Sequence, residues 1–442
     1  MTTAVAGAAG AGGPGAEGST RRLGAGGRRA LIAAMSGTVI EWYDYALYGA
    51  AAGLVIAPLF FQGSSLGGQL AAFATFAVGF VARPLGGVII GHVGDRRGRR
   101  PAMMLSILLM GIATVGIGLL PTFATAGVIA PILLVLFRLV QGMGAGAELA
   151  GAMTMVAEFA PPRMRTFLTS LVLATPPAGM ALATGAFLAV SSLGEEALLG
   201  WAWRLPFLAS AVLFGIALFI RHKLEETPEY VAATQRVEEE QPKIPVLSLL
   251  RHNAREVLLG FGSVTGHNAL NYAMAVFAIT LLTASGLERS TALATVTVGT
   301  LAGVIGTPFG GLAGDRWGAG RVLALGSALG AVFAFPLFDA LASGNHTYAG
   351  TMIALGYGII IAMTSGAQGA FLASLFAPRE RFSGIALARE LNGALVAGFT
   401  PLGLAWLIDA AGGNPTWGAV AISVSCIISV VSVVAARQLT RH

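Results

Sequence analysis

Gly91-His92-Val93-Gly94-Asp95-Arg96-Arg97-Gly98-Arg99-Arg100 recurs as Gly311-Leu312-Ala313-Gly314-Asp315-Arg316-Trp317-Gly318-Ala319-Gly320-Arg321, with the two aspartates 220 positions apart. Pro162-Arg163 and Pro378-Arg379 repeat at nearly the same period. Each copy of the longer element is a polar break after a long apolar stretch. A helix needs roughly 20 mostly apolar residues to cross a bilayer. Working outward from the two breaks gives twelve such stretches, at about 30–57, 68–92, 102–120, 125–149, 166–191, 201–220, 255–284, 291–312, 322–342, 348–376, 383–409 and 415–436. A polar stretch at 222–254, with Glu238-Glu239-Glu240 in a row, divides them six and six. The chain therefore reads as an all-α integral membrane protein of twelve transmembrane helices in two pseudo-symmetric six-helix bundles. The expected division is a disordered cytoplasmic tail at 1–29, one bundle at 30–221, a cytoplasmic linker at 222–254, the second bundle at 255–436 and a short cytoplasmic tail at 437–442. Two halves repeated at one period place a binding site between them.

Composition agrees with this reading. Hydrophobic residues make up 55% of the chain and charged residues 11%, against about 25% charge in a soluble domain. The 61 glycines suit helices that pack backbone to backbone in lipid. The single cysteine, Cys426, excludes an intramolecular disulfide and a CxxC metal site. The net charge of +6 does not form a nucleic-acid patch. With the N-terminus inside, 22 of the 27 Lys and Arg residues fall on the cytoplasmic side, and such a bias orients a membrane protein with both termini cytoplasmic. Only Arg204 and Arg289 fall outside, and Arg83, Arg138 and Arg389 lie within spans. No lysine follows the glycine run at 24–27 at the spacing of a phosphate loop. With no nucleophile elbow and no metal-ligand spacing, the sequence indicates neither an enzyme, nor a cofactor, nor a metal.

Several elements resemble a known family. The GxxxDRxGRR element at 91–100 is similar to the signature loop of the major facilitator superfamily. Gly37-Thr38-Val39-Ile40-Glu41-Trp42-Tyr43-Asp44-Tyr45-Ala46-Leu47-Tyr48-Gly49 resembles the first helix of its metabolite:proton symporter family. So do Arg83-Pro84-Leu85-Gly86-Gly87, Arg138-Leu139-Val140-Gln141-Gly142 and Trp203-Arg204-Leu205-Pro206-Phe207. The resemblance runs from about 30 to 440. It departs at Gly146-Ala147-Glu148-Leu149-Ala150-Gly151, where the family often has Gly-Gly-Glu-Trp-Gly-Gly, and at Ala319-Gly320, where the second loop lacks its basic pair. It implies proton-coupled uptake of a small polar metabolite by alternating access, foremost an organic acid such as a shikimate- or 2-oxoglutarate-like carboxylate. The alternatives are a proton antiporter that exports a small metabolite, and a symporter of a zwitterion such as proline or betaine. The expected setting is a bacterial plasma membrane, and the expected form a monomer.

Charge inside a bilayer is expensive, so each buried ionisable residue is a candidate for function. Glu41 and Asp44 are three positions apart on one face of the first helix. Two carboxylates this close resist simultaneous ionisation, which is the chemistry of proton coupling. Tyr45 and Tyr48 flank them; such rings can cap a substrate or cradle a cation, or simply pack helices. Arg83, Arg138 and Arg389 keep their charge and need acids as partners, whether a substrate or Glu41, Asp44, Glu148 and Glu390. Arg138 is the first choice for substrate contact by its depth, then Arg83. Gln141 and Glu148 belong to the same candidate set, as do His267, Asn268, Asn271 and Tyr272 in the seventh span, where a polar stripe faces a cavity or bonds to neighbouring helices. Thr364, Gln368 and Asn392 are weaker candidates. By the resemblance, Asp95, Arg96, Gly98, Arg99 and Arg100, with Asp315 and Arg316, gate the cytoplasmic mouth.

Overall fold

The computed structural model describes residues 25–62, 67–97, 99–146, 149, 153, 156, 160–223, 253–377 and 381–436. Among them every regular element is helical. Helix α1 runs Ala25–Ala51 and continues through a π turn, Ala52–Ile56, to Phe60. It is followed by α2 (Gly68–Arg97), α3 (Arg99–Leu119), α4 (Ile129–Gly144) and α5 (Arg165–Ser191). The next, α6 (Arg204–Lys223), is bent by 50° from a short lead-in at Glu195–Ala202. Helix α7 comprises Ala254–Tyr272, a π turn at Ala273–Phe277, and Ala278–Ala284. The last five are α8 (Arg289–Trp317), α9 (Ala319–Ala342), α10 (His346–Leu375), α11 (Ser383–Ala410) and α12 (Thr416–Ala436). These correspond one to one to the twelve apolar stretches. At α4 the start is shifted, because Gly127, at φ +56°, ends a short turn at Phe123–Ala126 and delays the regular helix to Ile129. Residues 25–29, expected to belong to a disordered tail, are instead the first turn of α1, the helix running on past the apolar stretch. The rest of the N-terminal tail, the C-terminal tail and most of the 222–254 linker lie outside the described residues.

The internal repeat is physical as well as sequential. The π turns of α1 and α7 begin 221 positions apart, and the interior prolines Pro84 of α2 and Pro308 of α8 stand 224 apart. Both devices remove a regular helical hydrogen bond and bend the rod. Glycine contacts repeat at the same spacing. A Cβ on Gly86 would fall on the Met143 carbonyl, and one on Gly142 on the Gly79 carbonyl, so α2 and α4 touch backbone to backbone. Gly310 against the Ala362 carbonyl and Gly366 against the Thr307 carbonyl do the same for α8 and α10. The Gly142–Gly146 run thus packs closely on α2 at Gly142 and Gly146 and on α3 at Gly144.

The outer surface is apolar. Ile112, Val212, Ile305, Phe309 and Val332 are among the exposed large side chains. In water this would be an aggregating patch; in a bilayer it is the lipid face, and the helices satisfy their own backbone groups there. Polar side chains are turned inward. Between the halves, α5 packs on α8 and α10, α2 on α11, and α1 on the π turn of α7. That seam holds the candidate site.

Candidate substrate and proton site

Asp44 is fully buried on α1. It accepts hydrogen bonds from the Thr114 hydroxyl of α3 and from Gln141 Nε2 of α4, the latter at 2.8 Å. Gln141 Nε2 also donates to Thr114 Oγ1 at 2.8 Å, and Gln141 Oε1 accepts from Arg138 Nη1. Arg138 Nη2 donates to the Phe76 carbonyl at 3.0 Å. The carboxylate is therefore held by neutral donors, and the guanidinium reaches it only through an amide. Arg138 lies 4.2 Å from the Tyr48 ring centroid, 5.3 Å from that of Tyr45 and 5.6 Å from that of Phe76. Cation–π attraction in a dry site stabilises such a stack by about 2 kcal/mol. The tyrosine hydroxyls are engaged elsewhere: Tyr45 donates to the Gly79 carbonyl at 3.0 Å and Tyr48 to the Ala72 carbonyl at 3.5 Å. The cation cradled by the first-helix tyrosines is the protein's own Arg138.

A second cluster crosses the seam. Arg83 Nε donates to Glu390 Oε2 of α11 at 2.8 Å, and Nη2 to Glu390 Oε1 and to Glu41 Oε1 at 3.3 Å each. One guanidinium thus ties α1 and α2 to α11 through two carboxylates. Arg83 also lies 5.0 Å from the Tyr45 centroid, so this ring has both guanidinium groups within cation–π range and joins the two clusters. Glu41 and Asp44 share a helix face but separate into different networks. The longer Glu41 reaches α2, and the shorter Asp44 bonds to α3 and α4.

The polar stripe of α7 bonds chiefly to its own half. His267 Nδ1 is 2.9 Å from Thr364 Oγ1, and Asn268 Nδ2 donates to Asn392 Oδ1 at 2.6 Å. Asn392 Nδ2 in turn donates to Thr265 and to the Phe261 carbonyl at 2.9 Å. Arg389 donates to Gln368 Oε1. Asn271 accepts at its carbonyl from the Tyr357 hydroxyl at 3.3 Å. Tyr272 differs: its hydroxyl is buried without a hydrogen-bond partner, and its ring packs on Trp42, Phe76 and Phe80.

Between these clusters the two halves enclose a small cavity, bounded by Trp42, Tyr45, Ala46 and Phe76 of the first half and Tyr272, Ala275, Val276 and Thr300 of the second, with Met180 and Thr184 of α5. It has room for about one water. Both ends of the seam are closed around it. At one end Asp315 accepts from the backbone N–H groups of Thr166 and Phe167 at 2.9 Å each, capping α5 from across the seam. At the other end Arg289 pairs with Glu195 at 2.9 Å, and Thr297 donates to Thr184 at 2.7 Å. Arg316 is exposed beside the Asp315 latch. The backbone at Asp95, Arg96, Arg99 and Arg100 is helical, but their side chains, with Gly98 and Glu148, lie outside the described residues.

A helical bundle of two repeated halves around a closed central cavity is matched by the family model described as Major Facilitator Superfamily, over residues 34–401. The chain belongs to this superfamily. It is 37% identical over 389 residues to the inner membrane metabolite transport protein YhjE of Escherichia coli K12, covering 86% of this chain and 87% of that protein. It is 37% identical to the shikimate transporter of the same organism, over 94% of this chain and 95% of the relative. It is 33% identical to a proline/betaine transporter of Salmonella typhimurium, over 86% and 78%. Among solved structures, the partially occluded inward-open xylose transporter XylE of E. coli superposes with a TM-score of 0.71 at 16% identity, over 93% of this chain and 97% of that one. That likeness concerns the fold. The chain is a multi-pass membrane transporter of the secondary type, and not an enzyme.

Several residues of the site were not legible in the sequence. Glu390 was visible only as one of several acids available to the arginines. Trp42 stands in the sequence as one aromatic residue within an apolar span. Thr114 carries no signal at all, being one threonine in an apolar span. Trp42 and Glu390 were detectable as polar groups at mid-span, whereas the pairing of Thr114 with Asp44 depends on which helices are neighbours.

Proposed function

We propose that this protein is a proton-coupled symporter that carries a small organic acid into a bacterial cell across the plasma membrane, as a monomer with both termini in the cytoplasm. The observation that carries the proposal is Asp44, buried, bonded by neutral donors and joined through Gln141, Arg138 and Tyr45 to the cavity on the seam. A carboxyl group so held by a hydroxyl and an amide can take up a proton without breaking an ion pair in direct contact. Arg138 keeps Gln141, the Phe76 carbonyl and three aromatic rings in either state. Alternating access then follows from the architecture, with the halves rocking about the site. The Arg83–Glu390 pair ties α2 to α11 and has to separate for that side to open. The relatives named for shikimate and for proline/betaine support a carboxylate-bearing cargo.

The test is uptake into proteoliposomes under an inward proton gradient, comparing shikimate, benzoate and 2-oxoglutarate with proline and glycine betaine. Accumulation of an acid that collapses with a protonophore is the expected result. Efflux of a preloaded compound driven by an inward proton gradient, with no uptake, would replace symport by export through antiport.

A further inference from the structure

Two polar groups in the described core have no hydrogen-bond partner and border the same space. The Trp42 indole Nε1 is on α1 and the Tyr272 hydroxyl on α7. Both residues are more than nine-tenths buried, at 8% and 3% exposure. Their ring centroids are 6.4 Å apart, and both line the seam cavity. A buried donor left unmade costs about 1–3 kcal/mol, and here two occur together on opposite halves of a transporter. The buried arginines, by contrast, are engaged by the protein: Arg83 by Glu390 and Glu41, Arg138 by Gln141 and Phe76, Arg389 by Gln368. None of the three borders the cavity.

We propose that Trp42 Nε1 and the Tyr272 hydroxyl are the substrate's carboxylate anchors, and that the cargo is a small monocarboxylate with a flat apolar or ring-shaped body. This rests on the symport reading above and deepens it. An indole N–H can only donate and a phenol O–H can donate, so the pair calls for an acceptor with two oxygens, which a carboxylate provides. Among the lining residues only these two donors are unmatched, so a second carboxylate would find none, which disfavours a dicarboxylate. The other walls, Phe76, Tyr45 and Met180, offer rings and a thioether to an apolar body. A quaternary ammonium would also seek aromatic faces. Here, however, guanidinium groups already lie within 5.0 to 5.6 Å of the Tyr45 and Phe76 centroids, so a further cation would meet like charge. One anchor comes from each half, so substrate binding bridges the two bodies that must move. In the closed state the cavity admits a group of about water size, and the halves part to admit the cargo.

The experiment uses the full-length protein in proteoliposomes, with benzoate and shikimate as probes and 2-oxoglutarate and glycine betaine as competitors. Tyr272→Phe keeps the ring and removes only the O–H, whereas Trp42→Phe removes the N–H together with the five-membered ring of the indole. Each is expected to raise the KM for the monocarboxylate about tenfold, the loss of about one buried hydrogen bond, while the maximal exchange rate stays within about twofold. Neither competitor should displace the probe. Unchanged KM in both variants, or transport of 2-oxoglutarate or betaine in preference to the monocarboxylates, would overturn the assignment and leave proton-coupled transport standing. Failure of every carboxylate to accumulate under the gradient would overturn the symport reading and this inference with it. If Trp42→Phe does not fold, Tyr272→Phe, which alters one exterior atom of a ring, decides the matter alone.

Discussion

Asp44 and Glu390 are both carboxylates near guanidinium groups, the first fully buried and the second partly so, and their surroundings give them different roles. Asp44 is bonded by a hydroxyl and an amide, so Asp44→Asn keeps the size and most of the hydrogen bonding. It is expected to abolish gradient-driven accumulation while counterflow exchange continues at a comparable rate; normal accumulation by the variant would exclude Asp44 as the proton carrier. Glu390 receives two hydrogen bonds from one guanidinium across the seam. Glu390→Gln leaves Arg83 with Glu41 and weakens the tie between α2 and α11. The expected result is faster exchange and a lower melting temperature in detergent, since the buried guanidinium loses one of its two carboxylates and the paired hydrogen bonds across the seam. These roles were only partly legible in the sequence. The depth of Arg138 and the shared face of Glu41 and Asp44 follow from helical spacing. The bond of Arg138 to Gln141, three positions on along α4, follows from spacing too, whereas its stacking on three rings depends on where α1, α2 and α4 meet.

The helices themselves were legible because a bilayer imposes one dominant constraint, a continuous apolar length. Their close approaches were less so. Of the many glycines, only some sit where another backbone passes. Gly86 and Gly310, 224 positions apart in α2 and α8, each face a carbonyl, of Met143 and of Ala362. Gly215 and Gly403 have open space around the Cβ position. Gly86→Ala and Gly310→Ala are therefore expected to destabilise the protein by about 1–3 kcal/mol or more, the range for overpacking a well-packed core. Gly215→Ala and Gly403→Ala should be neutral or slightly stabilising, by up to about 1 kcal/mol from helix propensity. Thermal melts of the four purified variants separate the two classes. Equal melting temperatures for all four would mean that α2–α4 and α8–α10 are less closely packed than their backbones indicate.

At the scale of the whole molecule, the seam is shut at both ends, by devices of unequal strength. The Arg289–Glu195 pair is solvent-exposed, with side chains 33% and 69% accessible, and such pairs contribute up to about 1 kcal/mol. The Asp315 carboxylate satisfies two backbone N–H groups at the start of α5, where a cap stabilises by about 0.5–2 kcal/mol and the helix dipole adds to the attraction. The end bearing Asp315 is thus the better fastened, and the bias should show in which end opens. A cysteine at Ser170, which packs against Gly311 across the α5–α8 seam just beyond the cap, reports on that opening by its rate of alkylation; the native Cys426 is buried and supplies the background. Asp315→Ala is expected to raise the labelling rate about 2- to 30-fold, the population shift that such a cap energy corresponds to. Glu195→Gln should leave it within about twofold. If Asp315→Ala labels no faster than its parent, the cap does not limit opening, and closure at that end rests instead on the backbone contacts of Gly311 and Gly314 with Phe167, Ser170 and Thr166.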